Sequence, residues 1–249
     1  DYGYRVGCVG KLDLAKPDPY NGRYGDRPCV YTWGFTHPEE CEGKFHAGRH
    51  AEPVGPYTHY LREHGLLETF HEDYNRRGVQ GPEGGADPSP LPCEHFEDSY
   101  IGRRAAEWIE KTPNDFPWHL FVSFVGPHCP FDAPEEFARR YRDQPMPAPV
   151  TPDPEGKSSG YQRKHVDLTD EQQLSMQRQY CAAIELIDHH VGLMLDALEK
   201  KGLLDNTMIL FVSDHGEMLG DHGLYHKSVP YEGSLHVPLI VAGPGLPAG

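Results

Sequence analysis

The chain has 249 residues, enough for one large α/β domain or two small ones and long enough to bury a core. Its 23 Lys and Arg face 38 Asp and Glu, a formal charge of -15. That balance argues against nucleic-acid binding through a basic surface and requires an anionic substrate to find a locally positive pocket. No run reaches the about 18 apolar residues that span a bilayer, and the first residues, Asp1-Tyr2-Gly3-Tyr4-Arg5, carry neither an initiator Met nor a signal-peptide pattern. Six scattered cysteines without a C-x-x-C pair speak against zinc-ribbon and thioredoxin-like readings. They allow disulfides or free thiols, so the compartment stays open, as does the oligomeric state.

In chain order, the pattern predicts a short strand at Arg5–Val9, then Gly-, Pro-, Tyr- and His-rich excursions to residue 56. Tyr60, Leu61, His64 and Leu67 predict a helix from Tyr57 to about Asn75, interrupted at Gly65, and Gly78 to Pro92 reads as a flexible connector. A helix over Asp98–Lys111 would carry Ile101, Ala105, Trp108 and Ile109 on one face and end before Pro113. His119 to Val125 is a nearly continuous apolar strand of the kind buried on both faces of a parallel sheet, closed by Gly126-Pro127-His128.

Residues 142 to 166 predict an exposed loop. Thr169 and Gln172 then form a capping box for a long helix. Its apolar face runs through Leu174, Ala183, Ile184, Ile187, Val191, Met194, Leu195 and Leu198, and Gly202 lies just past its end. Strands follow at Thr207–Ser213 and, also reading as buried, at Val237–Val241. Strands alternating with helices predict an α/β fold, a mainly parallel sheet with helices on both faces. Ligands of such sheets sit beyond the carboxyl ends of the strands, where His128 and Asp214-His215 fall.

The run Leu210-Phe211-Val212-Ser213 stops abruptly at Asp214-His215-Gly216-Glu217, with Lys227 one loop further on. A carboxylate beside an imidazole suits a divalent cation that polarises an anionic ester, with Lys227 as a second positive group. The plain alternative is a strand that runs into a solvated polar loop.

Gly10-Lys11-Leu12-Asp13-Leu14, Gly126-Pro127-His128, Ser213-Asp214-His215-Gly216-Glu217 and Lys227, in this order, resemble the sulfatase family of the alkaline-phosphatase superfamily. Tyr180 to Gly192 resembles the family's long helix before the metal strand. Tyr231-Glu232-Gly233 with Val237-Pro238-Leu239 resembles the segment after the active-site lysine. The resemblance covers most of the chain and implies an alkaline-phosphatase-like fold, here incomplete, and metal-dependent hydrolysis of sulfate esters.

It implies Asp214 and His215 as metal ligands and Lys11 and Lys227 as groups that hold charge on the sulfate. His128 would hydrogen-bond or protonate the leaving-group oxygen. Asp13 stands where the family commonly has His, and would orient Lys11, meet a substrate cation, or mark a lost role. The family's usual metal is calcium. His215, where many members have Asn, tilts the site towards manganese, zinc or iron and leaves room for the related phosphonate monoester and phosphodiester hydrolases. Of the other histidines, His189 and His190 fall on a helix exterior, while His222, His226 and His236 line the pocket or its rim. Glu217 and Asp221 read as members of a solvated loop.

The family's nucleophile is a formylglycine made within a C/S-x-P-x-R motif, and none of the six cysteines here has that context. The paired aspartates that complete the family's metal shell are not found either. The expectation is therefore that residues 1–249 are a partial sulfatase catalytic domain, an internal fragment without the nucleophile region and the C-terminal subdomain. Alone it would be inactive, while the intact protein would cleave a small-molecule or glycan sulfate ester. A reading of another class is a non-catalytic metal- or anion-binding remnant. No nucleic-acid partner and no membrane span are expected. Loops at 20–56, 78–95 and 142–166 would shape the pocket, with glycan, aryl ester and choline sulfate all open as substrates.

Overall fold

The computed structural model describes residues 3–12, 29–78, 86–152, 155–156 and 166–247. Strand β1 (Arg5–Lys11) is the centre of a parallel three-stranded sheet, flanked by β2 (His37–Cys41) and β3 (Trp118–Ser123). Gly7 lies opposite both His37 and Leu120. Cys8 and Val9 are fully buried, which is why the central place falls to this short apolar run. Val9 packs with Tyr57 and Leu61 of α2 (Pro56–Glu63) and with Ile101 and Ala105 of α4 (Glu97–Lys111). Cys8 packs on the other side with Leu12 and Val30, the latter from the 3-10 turn Cys29–Trp33.

Two glycines let β1 lie so close to its neighbours. A Cβ at Gly7 would sit 2.6 Å from the Trp108 ring. At Gly10, with φ of 105°, it would sit 2.0 Å from the Ser123 carbonyl oxygen.

The predicted helix at 57–75 is two helices, α2 and α3 (Leu67–Arg77), separated where Gly65 takes a φ of 69°. Helix α6 (Asp170–Lys200) has the expected capping box: Gln172 N donates to Thr169 Oγ1 at 3.2 Å, and Thr169 N donates to Gln172 Oε1 at 3.0 Å. Its buried stripe is Met176, Ala183, Leu186, Ile187, Ala197 and Leu198, and Ile184, one position off that stripe, is exposed. His190 is on the buried side, against the expectation of a helix exterior. The bare backbone of Gly102 receives it where α4 and α6 cross, since a Cβ at Gly102 would lie 2.4 Å from His190 Cβ. Among the described residues its Nδ1 has no hydrogen-bond partner, and burial lowers the ring's pKa to about 4.

β2 and α1 (Lys44–Arg49) lie inside an expected loop, and α5 (Glu135–Tyr141) and the short helix Glu232–Leu235 lie where the pattern predicts no element. β2 is an edge strand whose Glu39 pairs with Arg104, so it lacks the apolar run that announces a strand. β3 ends at Ser123 and is only half-covered, with Phe121 exposed, where burial on both faces was expected.

β4 (Ile209–Val212) and β5 (Leu239–Ala242) form a separate antiparallel pair, Ile209 opposite Ala242. Leu210 is 62% exposed and Leu239 67%, which overturns the buried reading of the last strand. An apolar run reports a need for cover, not what supplies it, and no described layer lies over this pair. Among the described residues Ile209 ties it inward, packing with Trp118, Leu120 and Leu198. Cys8, Cys41, Cys93, Cys129 and Cys181 are free thiols, and no described helix is long and apolar enough to cross a membrane.

Gly10→Ala is expected to lower stability by about 3 kcal/mol in urea unfolding, because it adds a backbone clash to a positive φ. Gly65→Ala, with φ positive but open space around it, should lose only about 1 kcal/mol. An equal loss at both sites refutes the close-approach account. Unfolded histidine titrates near 6.5, so the unfolded chain takes up the His190 proton before the folded one does. The unfolding free energy should therefore fall as pH drops from about 6.5 towards 4, and less steeply in His190→Met. Identical slopes in parent and variant count against this assignment.

Candidate active site

Lys11 ends β1, and its stem passes over Gly43, where a Cβ would lie 3.0 Å from Lys11 Cδ. Gly43 therefore leaves the channel through which the lysine reaches the carboxyl edge of the sheet. Asp13 lies outside the described residues.

His128 sits on the turn that follows β3, and that turn is clamped from below. Val125 N and Gly126 N donate to Asp98 Oδ1 at 2.7 and 3.0 Å, and a Cβ at Gly126 would lie 2.5 Å from Asp98 Oδ2. Buried Lys44 pairs with Asp132 and donates to the carbonyls of Pro130 at 3.2 Å and His128 at 3.5 Å. The His128 ring donates from Nδ1 to the Cys129 carbonyl at 2.6 Å and meets the Phe45 ring edge-on at 5.1 Å. With Nδ1 carrying the proton, Nε2 of the neutral ring is a bare acceptor. Burial pushes the His128 pKa down to about 4. The Cys129 carbonyl opposes this, and Lys11, Lys44 and Lys227 add to it.

At the end of β4, Asp214 Oδ1 accepts from His215 N at 3.0 Å while its carboxylate is 75% exposed. His215 donates from Nδ1 to the Gly216 carbonyl at 2.8 Å, and its Nε2 accepts from Lys227 Nζ at 2.6 Å. Asp214 Oδ2 lies 3.5 Å from the same Nε2. The three residues expected here are thus brought together.

The loop that carries them is tightly built. Gly216 N donates to Ser234 O at 2.8 Å, and Leu219, His222, His226 and Ser228 all take positive φ, four such non-glycine residues within ten positions. Glu217 is not in a solvated loop. Its carboxylate, 11% exposed, accepts from the backbone N–H groups of His226 and Leu219. Asp221 is half-buried and accepts from Val150 N at 2.8 Å.

Of the loop histidines, His226 joins the site, with Nδ1 3.7 Å from Cys129 Sγ. His222 stacks on Tyr231, and His236 points to solvent beside Glu232. Burial, reinforced by Glu217, raises the Cys129 thiol to about 12, so it is no nucleophile at neutral pH.

The Sulfatase family model matches residues 2–249 of this chain. The chain belongs to the sulfatase family. It is similar to the arylsulfatase of Clostridium perfringens, 29% identical over 98% of this chain and 50% of that protein. It is also similar to the choline-sulfatase of Rhizobium meliloti, 40% identical over 53% of this chain and 28% of that protein. In fold it is similar to the crystal structure of the phosphonate monoester hydrolase of Agrobacterium radiobacter. That match has a TM-score of 0.67 at 22% identity and covers 98% of this chain and 51% of the other. The chain therefore spans about half or less of the length of these proteins. The expected α/β fold of alkaline-phosphatase type is borne out.

For a sulfatase, the donor set here is partial. Asp214 and His215 offer one carboxylate and one imidazole, and the imidazole lone pair is engaged by Lys227. Among the described residues no group of three His, Cys, Asp or Glu side chains is placed to hold an ion. A hard divalent cation takes about six to eight oxygen ligands, so these residues by themselves do not make its shell.

Sequence reasoning passed over Asp98, Lys44 and Asp132, which hold the His128 turn. An acidic residue in the first turn of a helix reads as a dipole partner, and nothing in the local pattern announces its partner 28 positions away.

Lys227→Met should move the His128 titration, followed by proton NMR of the ring, upwards from about 4 towards the ordinary 6.5, because a neighbouring cation is lost. An unmoved titration counts against placing the two in one site.

Proposed function

We propose that the intact protein is a sulfuric ester hydrolase and that this chain contributes the side of its active site that holds the anion. The observation that carries this reading is the meeting of Lys11, Lys227 and a neutral His128 at the carboxyl edge of the sheet, in a chain of net charge -15. Lys11 and Lys227 hold the sulfate oxygens, and an ammonium does this without having to lose a proton. His128 turns its bare Nε2 towards the leaving-group oxygen. The charge of the sulfate offsets the surrounding lysines, the ring takes up a proton, and the imidazolium passes it to the departing alkoxide.

Lys227, drawn onto the sulfate, releases the Nε2 of His215 beside Asp214. These two would hold a divalent ion, calcium first with manganese or zinc as alternatives, once further ligands come from outside these residues. Bound there, the ion would polarise the sulfate. The nucleophile, a formylglycine by family resemblance, is likewise outside them, so this chain alone hydrolyses nothing.

A second reading, a phosphonate monoester or phosphodiester hydrolase, is favoured by the pairing of Asp214 with His215. The remaining alternative is a non-catalytic anion-binding remnant.

Two measurements on the 249-residue chain test this. Inorganic sulfate should bind and raise the His128 pKa, with Lys11→Met and Lys227→Met each weakening binding about tenfold, the scale of one charge-assisted contact. Aryl sulfate turnover should not exceed that of buffer. Failure of sulfate to bind overturns the anion-holding role, and measurable turnover overturns the need for an outside nucleophile. Tighter binding of phenylphosphonate than of phenyl sulfate favours the second reading.

A further inference from the structure

Helix α1 forms the wall beside His128, and its side chains are set out for a charged ligand. Lys44 points inward to Asp132, and Phe45 meets the His128 ring at 5.1 Å. Arg49, one turn on, lays its guanidinium over the Phe45 ring at 5.9 Å. Tyr74 fixes this arrangement: its hydroxyl donates to the Phe45 carbonyl at 3.5 Å, and the charge of Arg49 acts on that phenol. The Tyr74 ring lies flat on Gly48, where a Cβ would come within 2.4 Å of it. Arg49 is thus held by an aromatic shelf and a phenol while its head remains exposed.

Position sets Arg49 apart: Arg103 and Arg178, which bond to a phenol and to backbone carbonyls, also lack a carboxylate partner among the described residues, but Arg49 stands over the ring that meets His128. In this acidic chain Arg5, Arg77, Arg104 and Arg140 each pair with a carboxylate. Among the described residues no carboxylate pairs with Arg49, although Glu and Asp outnumber the basic residues 38 to 23. A guanidinium fixed in place, stacked and left without a carboxylate, is a ready acceptor for a planar or tetrahedral anion. It stands one ring away from the histidine that faces the ester.

We propose that Arg49, on its Phe45 shelf, is a second anion subsite, so that the substrate carries a further negative group next to the sulfate that is cleaved. The ligand class is a sulfated sugar bearing a carboxylate or a second sulfate. Choline sulfate is disfavoured, because its ammonium would meet a fixed cation. This inference rests on the sulfate-holding role of Lys11, His128 and Lys227.

Binding of four probes to the 249-residue chain, by calorimetry, tests it: galactose monosulfate, galactose disulfate, sulfated glucuronic acid and choline sulfate. The disulfate or the uronate should bind roughly tenfold more tightly than the monosulfate, the scale of one charge-assisted contact, and choline sulfate more weakly. Preference for the disulfate alone identifies the second group as sulfate, and preference for the uronate alone identifies it as carboxylate. Arg49→Gln should reduce the ratio to within about twofold, Arg49→Lys should keep part of it, and Arg5→Gln, at the opposite end of β1 from Lys11, should keep all of it. Equal binding of the sugars, or a ratio that survives in Arg49→Gln, overturns the subsite. If the monosulfate binds and Lys227→Met weakens it but no second charge is preferred, only the Arg49 inference falls. If no sulfated probe binds, the sulfate-holding role falls and this inference with it.

Discussion

Lys44 is an ammonium buried at the floor of the site, and the position of His128 depends on it. Burial works against its charge, but Asp132 and then Asp98 outweigh that and keep its pKa above the usual value. Its three donors are spent on Asp132 and on the carbonyls of His128 and Pro130, so one cation stitches three points of the turn after β3. Asp98 completes the clamp by accepting the N–H groups of Val125 and Gly126. Buried charges of this kind add little net stability, but removing one partner leaves the other uncompensated, which ties the geometry to the intact set. The same ammonium also helps keep His128 neutral, so the device that places the ring also sets its charge.

That neutral ring is the electrostatic centre of the site. Lys11, Lys44 and Lys227 all push the pKa of this half-buried imidazole down, in a molecule with a surplus of acids. On the proposed reading, an anion held by Lys11 and Lys227 would reverse the pressure on His128. Binding and proton uptake would then be one event. Lys227 has a double engagement: it now donates to His215 Nε2, and that contact and an anion compete for the same ammonium. The loop holding it is kept in strained conformations by Glu217, whose buried carboxylate gathers the N–H groups of Leu219 and His226.

The two sheets differ in how they meet solvent. The parallel sheet is covered at its central strand by α2, α4 and the Cys29–Trp33 turn, and the glycines of β1 mark where the layers touch. The β4–β5 pair leaves Leu210, Val212 and Leu239 more than half exposed and Val241 nearly so, one contiguous apolar face of a kind that seldom stays open to water. Its inner end still joins Trp118 and Leu120, so both sheets share one core cluster at their amino ends and bring their polar residues out at the other.

Much of this was legible in the residues alone, because the signals were local. The capping box of Thr169 and Gln172, the break at Gly65 and the apolar stripe of α4 each depend on a few neighbouring residues and announce the helices, while the order of the Gly-Lys, Gly-Pro-His and Asp-His motifs carries the resemblance to the sulfatase family. Only the tertiary structure decided that His190 is buried against Gly102, that β5 is exposed, that Lys44 reaches Asp132, and that Arg49 stands on Phe45 beside His128. The physical reason is range. Helix period, caps and turns are set by backbone sterics within about one turn, whereas a buried ion pair joining residues 88 positions apart exists only once the sheet has brought them together.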